Sequence, residues 1–384
     1  MNILLIGHER GLNGASMSLL NIIGELEKDE ENRICVLTGF SDGPFREALR
    51  EHRAEVLVVP MRSWYERSKG PLYRIRKFCG YLVKGTRMNE RAAAAAAEFS
   101  LSRHIDVIHS NSSVTALGVL LSRRTGIPHV QHIREFRDLD FNFCPVLPER
   151  WLAFLRNRYT KAYLCVSQAV ADHNRYLDAD KKHVVYNGID RKNRIDRPER
   201  QEGLPVQFVI AGRISPEKGQ DDAVKAAEIL LESGIRGFHL SVVGSGTLSA
   251  PIPECARDYI TLSGFISDMP AVRRKMDVEL VCSRAEAFGR VTAEAMMGAM
   301  PVIGSDGGGT PELIEEGGTG FLYPYGNAEA LAEKMAFFIR HPEKIREMGK
   351  RAQAYAMEHF TIERCVDEIA EIYREAVKNS ERNY

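Results

Sequence analysis

Short apolar runs alternate with helix-patterned segments along the chain, and that alternation admits few folds. Asn2–Gly7 is an apolar run ending in glycine; after a loop, residues 16–26 carry apolar side chains at 19, 20, 22, 23 and 26, a helical stripe. Further strands are expected over 33–38, 55–59, 106–110, 128–133, 162–167 and 183–186, with helices over 44–52, 114–124 and 168–177. A second series predicts strands at 206–211, 239–244, 259–263, 278–282, 301–305 and 320–323. Its helices fall at 221–232, near 268–276, and at 292–299 and 310–316. Strands this apolar, spaced by helices, predict parallel sheets covered on both faces.

A chain of 384 residues is long for a single core and typical of two domains. Residues 191–205 are polar and charged and include two prolines, so they read as a linker. The expected architecture is therefore α/β, with Rossmann-like domains over 1–190 and 206–360. Residues 361–384 follow as a last helix, striped at 362, 366, 369, 370, 373 and 377.

Several function classes are disfavoured. Seven cysteines, with no C-x-x-C spacing, read as reduced thiols rather than a disulfide frame or zinc site. The run at 2–6 is too short for a signal-peptide core, and no run approaches the roughly 20 residues that cross a bilayer, so a cytoplasmic protein is expected. Gly11 and Gly14 follow the first strand without forming G-x-G-x-x-G, and there is no G-K-[ST]; they either turn the chain or admit a phosphate. No Ser-His-Asp arrangement, metal-ligand spacing or D-x-D dipeptide suggests itself.

The densest chemistry lies between 278 and 299. Glu286 and Glu294 stand eight residues apart, with Phe288-Gly289 between them. In one continuous helix of about 3.6 residues per turn both acids would share a face. The apolar run before them and Gly289 instead predict strand, loop with Glu286, then a helix whose first turn holds Glu294. Arg213 and Lys218 follow the strand at 206–211, and Gly307-Gly308-Gly309 follows the strand at 301–305. Taken singly, the cations read as surface charges and the glycines as a turn. All of these groups fall at carboxyl ends of strands, which in an open parallel sheet form one crevice suited to a diphosphate.

Residues 61–91 hold nine Lys or Arg against two acids, interleaved with Trp64, Tyr65, Leu72, Tyr73, Ile75, Phe78, Tyr81, Leu82 and Val83. The segment reads either as a solvated helix or as a basic amphipathic surface for anionic lipid or an acidic acceptor. Nucleic acid is not expected, since no basic stripe or binding motif occurs elsewhere.

Taken together, the motifs resemble a family 4 retaining glycosyltransferase of the GT-B fold, of the bacterial envelope and exopolysaccharide type. The second half carries them in order: Gly212-Arg213 with Pro216-Glu217-Lys218-Gly219, Gly244-Ser245-Gly246, Gly264-Phe265, Glu286-x7-Glu294, Gly298-Ala299-Met300-Pro301, Gly308-Gly309 with Pro311-Glu312, and Gly320-Phe321-Leu322. The first half agrees more loosely, through Gly14, Asp106-Val107-Ile108-His109 and Asn187-Gly188-Ile189-Asp190.

The resemblance implies two domains facing each other across a cleft, with the last helix returning to the first. It implies a nucleoside diphosphate sugar donor, a UDP-sugar foremost, and a saccharide or lipid-linked saccharide acceptor. No cofactor or metal is expected, because cations and helix N-termini would steady the leaving group. Arg213 and Lys218 would bind the diphosphate, Glu294 the ribose, and Glu286 would face the sugar. The backbone of Phe288, Gly289, Arg290, Val291 and Thr292 would close round sugar and phosphates, Gly264-Phe265 would lie beside the base, and Gly14 would approach the diphosphate. His132 matches the family's histidine near the transferred sugar, although a lone histidine at a strand end is ordinarily a structural residue; His109 is the weaker candidate. Two other classes fit the same fold: a sugar-nucleotide 2-epimerase and a non-catalytic sugar-nucleotide binding protein.

Overall fold

A computed structural model describes residues 1–67, 70–201 and 203–381, without the side chains of 71, 72, 74, 75 and 381. The chain forms two compact units: Met1–Gly188 with Ile362–Tyr384, and Ile189–Thr361.

In the first unit, the chain runs through β1 (Asn2–Gly7), β2 (Arg33–Thr38), β3 (Glu55–Val58), β4 (Tyr65–Arg67), β5 (Val107–Ser110), β6 (His129–Ile133), β7 (Phe143–Pro145), β8 (Ala162–Cys165) and β9 (Lys182–Val184). Seven of these form one sheet in the order β3-β2-β1-β5-β6-β8-β9, every neighbouring pair parallel. β4 and β7 form a separate antiparallel pair. The core is built from Ile3 and Leu5 of β1, Leu19 and Ile23 of the helix Gly14–Leu26, and Ile369 and Tyr373 of the helix Ile362–Glu381. That last helix therefore belongs to the first unit. Its apolar stripe fills a face of the sheet that would otherwise be wet.

The second unit contains β10 (Val206–Ala211), β11 (Phe238–Val243), β12 (Ile260–Gly264), β13 (Val278–Val281), β14 (Val302–Ser305) and β15 (Gly320–Tyr323). These form a parallel sheet in the order β12-β11-β10-β13-β14-β15. Phe208, Leu240 and Leu280 pack there with Ala227 and Leu230 of the helix Gln220–Glu232 and Leu331 and Met335 of the helix Ala328–Arg340.

The expected strands form, but three expectations are corrected. Residues 191–205 are not a free linker: Arg197 donates to the carbonyls of Gly298 at 2.6 Å, Met276 at 2.7 Å and Arg273 at 2.6 Å, and Ile195 is buried. The Arg197 guanidinium thus satisfies helix and turn carbonyls, while Arg191, Lys192, Arg194 and Glu199 stay exposed. The helices expected at 268–276 and 310–316 shrink to Met269–Arg273 and Thr310–Leu313. Helices also form at Glu149–Tyr159, Ala328–Arg340 and Glu343–His359, where the sequence suggested no element. The last of these buries Ile345, Met348, Gly349, Ala352 and Ala356, a stripe of mostly small residues that apolar periodicity underweights.

Gly118 brings its helix close onto the sheet of the first unit. A Cβ there would lie 2.2 Å from Ser110 Oγ and 2.4 Å from His129 Nε2, two atoms that hydrogen-bond to each other at 2.9 Å. Gly118→Ala is expected to destabilise this unit by about 1–3 kcal/mol, read from urea unfolding.

Candidate active site

Strand order sets where a ligand can enter. In the second sheet β11 lies on one side of β10 and β13 on the other, so the loops leaving β10 and β13 diverge and open a crevice at their carboxyl ends. The chemistry-bearing residues of this unit gather there. After β10 the chain makes a short turn, Pro216–Lys218, and then Gly219 at φ +69°. A Cβ on Gly219 would lie 2.1 Å from the Cys282 carbonyl oxygen, so glycine alone lets this turn rest on the end of β13.

That approach joins Lys218 to Glu286. Lys218 Nζ lies 2.5 Å from Glu286 Oε1, and Ser283 Oγ donates to the same oxygen at 2.5 Å. The Glu286 side chain is 18% exposed and that of Lys218 36%. Burial alone would raise the Glu286 carboxyl, but Lys218 and the Ser283 hydroxyl hold it below the usual range, so it is ionised at neutral pH. Its backbone is also fixed: the Gly309 amide donates to the Glu286 carbonyl at 2.7 Å. Gly307 and Gly308 press on the same loop, since Cβ atoms there would lie 2.1 Å from the Arg284 carbonyl and 2.4 Å from that of Glu286. Gly307 and Gly308 thus seat the Glu286 loop as well as turning the chain.

Glu294 sits in the helix Arg290–Met297 and is held from two sides. Arg273 Nη1 donates to Oε2 at 3.0 Å and Arg290 Nη2 to Oε1 at 3.0 Å. The two guanidinium groups outweigh the effect of burial and keep this carboxyl below its ordinary value. A carboxylate offers about four lone-pair positions, so acceptor capacity remains beyond these two bonds. Arg273 is itself buried, and its Nε donates at 3.1 Å to Glu279 Oε2, on β13. Burial pushes Glu279 up to about 7 against the pull of Arg273.

The remaining predicted residues divide. Gly289 starts the helix at φ +100°, and Thr292 is buried with its hydroxyl unpaired among the described residues. Val291 is half-buried, and the Arg290 side chain serves Glu294. The Phe288 ring is a core group, edge-on to Phe360 at 5.6 Å, which leaves backbone as its contribution to a ligand. Arg213 is exposed and makes no side-chain hydrogen bond or ion pair among the described residues. Gly264 ends β12 at φ +64°, and Phe265 after it is 77% exposed, an unusual position for a large ring without a partner surface.

Two predicted residues lie in the first unit. Gly14 opens its helix, but the Asn13 side chain accepts from the amides of Ala15 at 3.1 Å and Ser16 at 3.3 Å. The chain itself thus takes part of the anion-binding capacity of that N-terminus. His132, on β6, is fully buried and its Nδ1 lies 3.3 Å from His109 Nε2. The sequence reading missed Arg273, Glu279 and Ser283. A lone glutamate inside the apolar run Val278–Val281 was the available signal, because a buried carboxylate requires a partner.

Family models of sequence match both halves of the chain. The one described as Glycosyltransferase Family 4 covers residues 12–193, and Glycosyl transferases group 1 covers 191–355. The chain belongs to the family 4 glycosyltransferases. It is similar to an uncharacterized glycosyltransferase of Methanocaldococcus jannaschii, 27% identical over 71% of this chain and 76% of that protein. It is also similar to the alpha-D-kanosaminyltransferase of Streptomyces kanamyceticus, 25% identical over 67% and 72%. Among solved structures, Anabaena HepE in complex with UDP and glucose superposes with a TM-score of 0.73 at 24% identity, covering 96% of this chain and 98% of that one. The fold of this glycosyltransferase is therefore GT-B. Among the described residues no helix is long and apolar enough to cross a membrane.

Glu279 makes the buried network pH-sensitive. Between its ordinary value of 4.5 and about 7, the folded state holds a proton that the unfolded state has released. Stability should therefore fall as pH rises through that window. Glu279→Gln is expected to flatten this slope in unfolding measured across it.

Proposed function

We propose that this protein is a retaining, metal-independent transferase that moves a sugar from a UDP-sugar to a saccharide or lipid-linked saccharide in surface glycan synthesis. The observation that carries this is the Lys218–Glu286–Ser283 cluster at the switch point of the second sheet, beside an ionised Glu294. The UDP-bound and glucose-bound relative of the same fold supports the choice of donor.

The chain's own groups suit that chemistry. Lys218 and the exposed Arg213 supply positive charge for a departing diphosphate, the role a metal ion plays in other transferases. Glu294, oriented by its two arginines, accepts from the ribose hydroxyls, and the exposed Phe265 lies against the base. The acceptor hydroxyl oxygen attacks the anomeric carbon on the face the diphosphate leaves. The carbon–oxygen bond to phosphate breaks, and a phosphate oxygen takes the acceptor's proton. Glu286, fixed as an anion, stands against the positive charge that develops on the sugar. His132 meets the sugar as a neutral donor.

Peripheral membrane contact through 61–91 belongs to the same reading. Residues 68 and 69 and the side chains of 71, 72, 74 and 75 lie outside the described residues. In the rest, Leu82 and Val83 are 50% and 58% exposed, with Lys84, Arg87, Met88 and Arg91 exposed beside them. Leu82, Val83 and Lys84 lie within a π-helical turn, Tyr81–Gly85, of the kind that shifts a helix face out of register, and Arg87, Met88 and Arg91 follow it. Apolar side chains ringed by cations suit an anionic lipid surface.

Two experiments test these readings. Purified protein offered a panel of UDP-, GDP- and ADP-sugars with saccharide acceptors should transfer from a UDP-sugar, with the anomeric configuration kept in the product by NMR. Lys218→Ala and Glu286→Gln should each lower kcat by about 100- to 1,000-fold while circular dichroism stays unchanged. Full activity in both variants would overturn the mechanism. For the membrane contact, co-sedimentation with vesicles containing anionic lipid should weaken with added salt, and the triple change Lys84→Glu, Arg87→Glu, Arg91→Glu should abolish it.

A further inference from the structure

The buried histidines of the first unit form a chain of hydrogen bonds whose proton positions follow from its members. Arg134 Nη2 lies 3.1 Å from His132 Nδ1. A guanidinium only donates, so His132 Nδ1 must be the lone-pair nitrogen. The same nitrogen lies 3.3 Å from His109 Nε2, which must then carry hydrogen. His109 Nδ1 is left as an acceptor, and its partner is the Tyr373 hydroxyl, from the helix Ile362–Glu381. The rings are tilted by 34° for the two histidines, and Tyr373 meets His109 edge-on at 77°.

The surroundings keep every member in that form. Burial, and after it the Arg134 charge, hold both histidines well below their ordinary value, so neither is an imidazolium at neutral pH. Burial pushes the Tyr373 phenol up, which keeps it a donor. Arg134 is anchored in turn, through Nε to Asn111 Oδ1 at 2.8 Å and through Nη1 to Asn187 Oδ1. One polar atom of the chain is left over. His132 Nε2, which must bear hydrogen, is buried and has no partner among the described residues. A buried N–H without an acceptor is costly, so its retention calls for a partner that the described residues do not supply.

We propose that Tyr373 is a positioning residue for this transferase: acting through His109, it fixes the ring of His132, which Arg134 holds as the Nε2–H tautomer, so that this N–H donates to an oxygen of the saccharide. The last helix would thus serve the site as well as the core, since Tyr373 is both a core ring and the end of the chain of donors. The inference rests on the reading that His132 meets the sugar.

Nitrogen-15 NMR of the full chain with labelled histidine tests it, with signals assigned through His109→Gln and His132→Gln. In the native protein both rings should show the neutral Nε2–H pattern. Tyr373→Phe keeps the ring and its packing; it should move the His109 Nδ1 signal away from that of a hydrogen-bonded acceptor, broaden the His132 signals, and lower kcat about fivefold with little change in donor KM. An Nδ1–H pattern at His132 in the native protein would overturn the proposal, as would a Tyr373→Phe protein with unchanged nitrogen signals and kcat. Undiminished transfer by His132→Ala would instead remove the sugar contact on which it rests, and the nitrogen signals would still decide the tautomer.

Discussion

The second unit depends on one close approach, that of Gly219 to the end of β13. Without it the turn carrying Lys218 could not rest on the Cys282 carbonyl, and Lys218 would not reach Glu286. A carboxylate so little exposed is tolerated because a cation and a hydroxyl lie on one of its oxygens. Gly307 and Gly308 impose the matching constraint from β14, pressing the Glu286 loop from the other side. Three loops from three adjacent strands thus hold one side chain, and backbone contacts that only glycine permits do most of the holding.

Glu294 is oriented by a different device, a buried alternation of charge. Glu279, Arg273, Glu294 and Arg290 follow one another with donor–acceptor distances of 3.0–3.1 Å. Such a chain ties β13 to two helices, and removing Arg273 takes the cation from Glu279 and one of two from Glu294. The histidine chain of the first unit works in the same manner with neutral groups: a fixed donor at one end decides the proton positions along the rest.

Much of this was legible in the chain. Continuous apolar runs separated by helical stripes can be buried only as parallel strands with helices on both faces, and the sheets formed where those runs lie. Glu286, Glu294, Arg213 and Lys218 were visible because polar groups at the ends of apolar runs fall at the mouth of such a sheet. Less legible were helices with small-residue stripes, such as Glu343–His359, and the use of 191–205, where Arg197 looks solvated in sequence and donates to three carbonyls in the fold. The pairing of Arg273 with Glu279 and Glu294 was also hidden, since it joins residues six and 21 positions apart across different elements.

The sequence by itself determined the strand–helix alternation and the location of the polar groups at strand ends, because these depend on local pattern and spacing, and its motifs carried the resemblance to the glycosyltransferase family. Tertiary structure alone decided which of those groups meet. It gave Lys218 to Glu286 rather than leaving it a free surface cation, turned the glycine triplet into a seat for a loop, and withdrew the Phe288 ring into the core. It also brought Tyr373, 264 residues along the chain, onto His109. Contacts of that kind are fixed by strand order and by the distance at which two backbones can pack, and neither is written in the spacing of residues along one segment.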